Sequence, residues 1–99
     1  MNVVINPVHF DASTQLVEFV NKKLKKLETF FDKIIDAEVF LKLDSNQSIK
    51  DKIVEMKLSL PGKTIFVSEV SKTFEESTDL AIDTMARQLK KHKEKVKNI

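Results

Sequence analysis

The spacing of apolar residues changes twice along this chain, and this constrains the fold more than any other feature. In residues 16–31 the apolar side chains recur every three or four positions, as on one buried face of a helix. In residues 52–60 they alternate with polar side chains, as in a strand with one buried face. Helical spacing returns in residues 74–95. The chain therefore combines strands with two helices that each have a single apolar face to bury.

Three further segments predict strands and connections. Residues 3–10 and 37–43 are rich in apolar and β-branched side chains, which favours strands. Residues 64–70 follow Pro61-Gly62, a pair that suits the centre of a type II turn, so this strand is expected to form a hairpin with the alternating segment. The polar residues 44–50 predict a loop.

The starts of the helices complete the predicted order of elements. Ser13 offers an N-cap to the first helix, and Thr73 with Glu76 forms a capping-box pattern before the second. The order is β-α-β-β-β-α, in which three consecutive strands favour an antiparallel meander. We expect an α+β fold, a two-layer sandwich with a four-stranded sheet and both helices packed on one face. Residues 1–99 are expected to form a single domain.

The composition excludes several classes of function. The chain has no cysteine and only one glycine, which rules out disulfides, thiolate zinc sites and glycine-rich phosphate loops. No apolar run approaches the ~20 residues of a membrane span, and the first ten residues do not resemble a secretory signal, so we expect a cytoplasmic protein.

His9 is expected at the surface, and His92 either packs or meets phosphate. We expect no enzyme, no catalytic residue, no cofactor and no metal.

The cations are concentrated in two short segments. Residues 21–33 carry five lysines against Glu28 and Asp32, a net charge of +3, and residues 87–99 carry six cations against Glu94, a net charge of +5. Like charges four residues apart destabilise an isolated helix by about 0.2–0.5 kcal/mol, so the clusters indicate an anionic partner. If the helices lie side by side, they present one basic surface that suits the backbone of structured RNA.

The clustering of cations also fits roles that do not involve RNA. Cations late in a helix complement its macrodipole, which accounts for part of the second segment. The same basic face could dock an acidic protein partner, or lie on an anionic membrane, although the apolar stripe of the last helix is needed to cover the sheet. All seven aromatic residues are phenylalanine and most fall on predicted core faces, so a base-stacking platform is not expected.

Three stretches resemble a known family. They are LVEFVNKKLKKLETFFDKI at residues 16–34, LSLPGKTIFVSEV at residues 58–70 and AIDTMARQLKKHKEK at residues 81–95. Together they resemble the ribosome hibernation-promoting factor family, also known as the ribosome-associated inhibitor or sigma-54 modulation family. The resemblance covers essentially the whole chain. It implies a β-α-β-β-β-α fold similar to a double-stranded-RNA-binding domain, in agreement with the order above.

The resemblance also implies a function and its partners. A member of this family is expected to bind the small ribosomal subunit and its 16S-type rRNA in the channel of mRNA and tRNA, at the A and P sites. It would inhibit translation in stationary or stressed cells. A second hibernation factor stays open as a further partner, whereas no DNA and no membrane are expected, and the free protein is expected to be a monomer. The chain resembles the short type of the family, which lacks a second domain.

The family's basic helix positions imply the residues that contact rRNA. Matched residue by residue, the contacts are Lys23, Lys26, Arg87, Lys91 and Lys93. Charge and position add five more, which are Lys22, Lys25, Lys90, Lys95 and Lys97. The start of the last helix departs from the family, because many relatives have Asp-Met-Tyr where this chain has Thr-Phe-Glu at residues 73–75.

Overall fold

The chain folds as a four-stranded sheet covered on one face by two helices. The computed structural model describes residues 1–44 and 51–97, so most of the predicted loop, residues 45–50, lies outside the described residues. The elements are β1 (Asn2–Pro7), α1 (Thr14–Phe30), β2 (Asp36–Asp44), β3 (Asp51–Leu60), β4 (Lys63–Ser71) and α2 (Phe74–Lys97). The predicted order β-α-β-β-β-α is confirmed.

The strands lie in the sheet in the order of the sequence, β1-β2-β3-β4. The pairs β2–β3 and β3–β4 are antiparallel, as the predicted meander requires, whereas β1 pairs with β2 in parallel. The parallel pair is possible because α1 carries the chain back between the two strands. The first strand ends at Pro7 rather than at Phe10, since the φ angle of His9 is 64° and ends the extended conformation.

The core lies between one face of the sheet and both helices. Neighbouring strands place buried side chains in register, in rows such as Ala37, Leu58 and Ile65, or Val39, Met56 and Val67. The helices add the buried residues Val20, Leu24 and Leu27 from α1, and Ala81, Met85 and Leu89 from α2. The prediction that both helices cover the same face of the sheet is therefore confirmed.

Both helices begin at the predicted caps. The backbone N–H of Leu16 donates to the Ser13 hydroxyl at 3.1 Å, and the N–H of Glu76 donates to the Thr73 hydroxyl at 3.0 Å. The Glu76 carboxylate accepts a hydrogen bond from the Ser71 hydroxyl at 2.7 Å, which ties the start of α2 to the end of β4. Each cap satisfies a backbone donor that the helix itself leaves unpaired.

Gly62 provides a test of the turn between β3 and β4. Its φ angle is +74°, as the third position of a type II turn requires, and a Cβ atom placed there would meet nothing within 4 Å. We therefore expect Gly62→Ala to destabilise the protein by about 1 kcal/mol through backbone strain alone. Gly62→Asn is the matched control, because asparagine tolerates this conformation better. Urea denaturation measures both variants, and equal stability of Gly62→Ala and the parent would contradict the expectation.

Candidate nucleic-acid interface

The two helices lie side by side and run in the same direction. At their N-terminal ends, the rings of Phe10 and Phe74 stack with centroids 5.1 Å apart. At the other end, the rings of Phe31 and His92 meet edge to face at 5.7 Å. An ion pair joins the helices between these two contacts, with Lys23 Nζ 3.0 Å from an Asp79 carboxylate oxygen. The outer surfaces of α1 and α2 therefore form one continuous face.

This face carries most of the cations that the sequence analysis selected. Eight of them are exposed, namely Lys22, Lys25, Lys26, Arg87, Lys90, Lys91, Lys93 and Lys95. Lys23 is half-buried by its contact with Asp79 and by its position 5.3 Å over the centre of the Phe19 ring. Lys97 ends α2, and its side chain lies outside the described part of the structure.

The eight exposed cations of this face have no carboxylate partner among the described residues. Two ion pairs of the described residues lie away from these cations, one between the N-terminal amine and Glu28 and one between Lys42 and Glu55. A further pair joins Lys23 to Asp79. The other eight cations whose side chains are described therefore keep their charge available for a partner, which is the condition that an anion-binding surface has to meet.

Between the helices lies a depression that we call the interhelix cleft. It has a volume of about 550 Å³ and is lined by Phe30, Ala86, Arg87, Lys90, Lys93 and Glu94. A second, smaller cleft of about 370 Å³ lies on the other side of Phe30, against the end of α1 and the β3–β4 turn, with Lys33, Pro61 and His92 in its lining. Three of the predicted binding residues thus converge on one concave site.

Two of the cations on α2 lie outside this cleft, on the side that faces β4. The Thr84 hydroxyl donates to the Glu69 carboxylate of β4 at 2.7 Å, which identifies that side of the helix. Lys91 and Lys95 follow Thr84 by two and three turns and share its side, because 3.6 residues complete a turn. The predicted row Arg87, Lys91 and Lys95 is therefore divided, with Arg87 at the cleft and the two lysines on a flank.

On α1, Lys25 lies on the opposite flank. It precedes Glu28 by one turn, and Glu28 contacts the N-terminal amine of Met1 at 3.8 Å, beside β1. The nine predicted residues whose side chains are described thus comprise a central group around the cleft and two flanks, one along each edge of the helix layer. A large polyanion could contact all of these groups, whereas a small ligand would meet only the central one.

Sequence reasoning missed one residue of this site. The apolar spacing leaves open whether Phe30 or Phe31 ends the buried face of α1, and in the structure Phe30 is 56% exposed. Phe30 is the last residue of α1, whereas Phe31 follows the helix with an extended backbone (φ −151°, ψ 107°), so the two side chains point in different directions. The adjacent pair was itself the signal that one ring would be left at the surface. The expectation that most aromatic residues fall on core faces does not extend to Phe30 or to Phe66, which is 58% exposed.

The described residues include no helix with the length and hydropathy to cross a membrane.

The fold and the sequence together identify the family. The chain belongs to the sigma 54 modulation protein / S30EA ribosomal protein family, whose family model matches residues 3–97. It is 32% identical over 99 residues to a ribosome hibernation promoting factor from Pseudomonas putida, covering 100% of this chain and 93% of that protein. It is 35% identical over 97 residues to the Escherichia coli K12 ribosome hibernation promoting factor, covering 98% of this chain and 96% of that protein. The resemblance inferred from the sequence is confirmed.

Solved structures agree with this assignment. A ribosomal subunit interface protein from Coxiella burnetii superposes with a TM-score of 0.85 and 27% sequence identity, covering 94% of this chain and 98% of that one. The N-terminal domain of Protein Y from Thermus thermophilus superposes with a TM-score of 0.80 and 25% identity, covering 93% of this chain and 99% of that one. The relatives therefore share both the fold and nearly its full length.

Proposed function

We propose that this protein is a ribosome hibernation factor that binds the small ribosomal subunit and inhibits translation in stationary phase or stress. The protein would occupy the channel of mRNA and tRNA at the A and P sites, with its helix layer against 16S-type rRNA. The observation that carries the proposal is the helix layer itself, where eight exposed cations without carboxylate partners among the described residues lie on two adjacent helices. The relatives are named as ribosome hibernation promoting factors and as a ribosomal subunit interface protein, and we therefore propose the ribosome as the polyanion.

The proposed mechanism is steric and needs no chemical step. Each phosphate that a lysine or arginine neutralises releases condensed counterions, and this release supplies much of the binding free energy. The spread of exposed cations over two adjacent helices suits the backbone of folded RNA, whose deep major groove hides the base edges. A rigid domain held in the channel would exclude mRNA and tRNA by its volume. The protein would therefore act as a non-enzymatic, cytoplasmic inhibitor.

The geometry weighs against a membrane as the partner. An interfacial helix needs an apolar face that it can insert between lipids. The apolar face of α2, including Met85 and Leu89, is buried against the sheet, and its outer face is charged. An acidic protein could still use the same cations, so the test has to separate it from RNA.

Binding to purified small ribosomal subunits is the direct test. We expect the protein to sediment with the subunits at low salt and to be released as salt rises, with a slope of about −0.7 to −0.9 in log K against log salt for each phosphate contacted. The protein should also bind 16S rRNA that is free of ribosomal proteins, with a lower affinity. The proposal would be overturned if the protein did not sediment with subunits and instead captured one acidic protein in a complex that survives nuclease treatment. That result would favour the protein-docking alternative.

Replacement of Asp79 is expected to increase, not decrease, the affinity for small ribosomal subunits. Asp79→Asn removes the carboxylate that holds Lys23 and frees this lysine for phosphate. We expect the affinity for small subunits to rise roughly 2- to 5-fold and the salt dependence to steepen. The free energy of unfolding should fall by only about 0.2–1 kcal/mol, because the pair is partly exposed.

The matched control is Asp83→Asn, one turn further along α2. Asp83 is exposed and forms no ion pair among the described residues, so its replacement changes the net charge equally but frees no lysine. Filter binding at several salt concentrations compares the two variants. An equal gain in both would show that only net charge matters and would contradict a specific role of Lys23.

A further inference from the structure

Phe30 is a large apolar side chain that the fold leaves open within the basic face. It is the last residue of α1, is 56% exposed, and lines both the interhelix cleft and the smaller cleft beside it. Its neighbour Phe31 makes the ring contact with His92. Phe30 therefore contributes little to the core and borders open space in both clefts.

The surroundings of this ring are cationic. Arg87, Lys90 and Lys93 line the interhelix cleft, and Glu94 is the one carboxylate in its described lining. None of the three cations forms an ion pair within residues 1–44 and 51–97. The Arg87 guanidinium donates to the Thr84 hydroxyl at 3.2 Å, which holds its charged end at the edge of the cleft nearest β4. The cleft thus combines a flat apolar wall with a rim that attracts polyanions.

We propose that the interhelix cleft holds one unpaired nucleotide of the bound RNA, its base stacked on Phe30 and its phosphates on Arg87, Lys90 and Lys93. This inference rests on the proposed function and names the ligand of its central site. The volume of about 550 Å³ falls within the range of ~300–1,000 Å³ that small-ligand sites occupy. A nucleotide carries a flat base and a phosphate in one unit, which matches an exposed ring bordered by cations, whereas an acidic protein segment would need an aromatic side chain beside its carboxylates to do the same.

Stacking on phenylalanine determines what the site can distinguish. The ring has no polar atom, so it cannot form hydrogen bonds with base edges, and every base offers it a π-face. The site should therefore select a nucleotide that is unpaired and accessible, and should discriminate only weakly between the four bases. The flanking cations would hold phosphates of the same strand, and the remaining lysines of the helix layer would contact paired RNA around it.

Variants at position 30 test this proposal on purified small ribosomal subunits. We expect Phe30→Ala and Phe30→Leu to weaken binding roughly 5- to 100-fold, because both lose the aromatic face. Phe30→Tyr keeps the ring and should bind within about 2-fold of the parent. The matched control is Phe66→Ala, since Phe66 is 58% exposed but lies on the opposite face of the sheet from the helices.

Chemical probing of the 16S rRNA identifies the contact itself. With the parent protein bound, dimethyl sulfate or a carbodiimide should find one unpaired base protected, and Phe30→Ala should restore its reactivity at saturating protein while backbone protection stays. A weakened Phe30→Ala without any base that changes reactivity would overturn the stacking proposal, as would Phe30→Leu binding as well as Phe30→Tyr.

The two proposals fail in different ways. If the parent and Phe30→Ala bind subunits equally, and reversal of cleft charges abolishes binding, the stacking inference fails and the proposed function stands. If the parent does not bind subunits at all, both fail.

Discussion

Reversing two charges at the interhelix cleft, in the variant Arg87→Glu/Lys90→Glu, should abolish ribosome binding while the protein stays folded. Both side chains are exposed, and neither forms an ion pair within the described residues. A hydrogen bond to a charged group contributes about 1.5–3 kcal/mol, so the loss of two phosphate contacts weakens binding by roughly 100-fold or more. The two new carboxylates add repulsion from RNA. Sedimentation with small ribosomal subunits at low salt measures the effect.

The control has to show that position, and not only net charge, determines the loss. Lys57→Glu/Lys72→Glu changes the net charge equally, and both lysines are exposed outside the helix layer, on β3 and before α2. We expect this variant to lose less than about 10-fold, through weaker long-range attraction alone. Circular dichroism should show native helix content in both variants. A similar loss in both would contradict a localised interface.

Much of the fold could be predicted because its determinants are local. Ser13 and Thr73 cap their helices through hydrogen bonds to residues three positions away, and Gly62 determines its own turn. The parallel pairing of β1 with β2 could not be predicted in this way. It depends on where α1 returns the chain to the sheet, which no pattern within β1 encodes. The early end of β1 likewise depends on a single backbone angle at His9.

The site was predictable in composition but not in arrangement. The family resemblance, charge and position selected ten residues, and the fold placed the nine with described side chains on the helix layer. Which of them converge depends on how α1 and α2 pack, so Lys90 and Lys93 line the cleft while Lys91 lies on the flank toward β4. The sequence likewise could not decide which of Phe30 and Phe31 faces the core. Phe30 ends α1 and Phe31 is already extended, so the point at which the helix ends decides between them.

The geometry of the cleft depends on the anchoring of α1, and Leu24 tests that anchor. Leu24 is fully buried at the centre of α1, between Val20 and Leu27 on the face that packs into the core. We expect Leu24→Ala to lower the free energy of unfolding by about 2–5 kcal/mol, from lost transfer free energy and the cavity that remains. Urea denaturation monitored by circular dichroism measures this loss. It is a large fraction of the ~5–15 kcal/mol that stabilises a typical domain.

Leu80→Ala is the matched control for this prediction, because Leu80 belongs to α2 but is 44% exposed. Its truncation removes little buried surface, and alanine favours the helix, so we expect a change below about 1 kcal/mol. Affinity for small subunits is then measured in buffer without urea, where circular dichroism shows that Leu24→Ala is still folded. A loss of affinity there would show that the spacing of the helices matters for binding. Equal destabilisation by the two substitutions would mean that α1 is not held by its apolar face. The two cationic helices would then have no fixed relation, and the cleft between them could not act as one site.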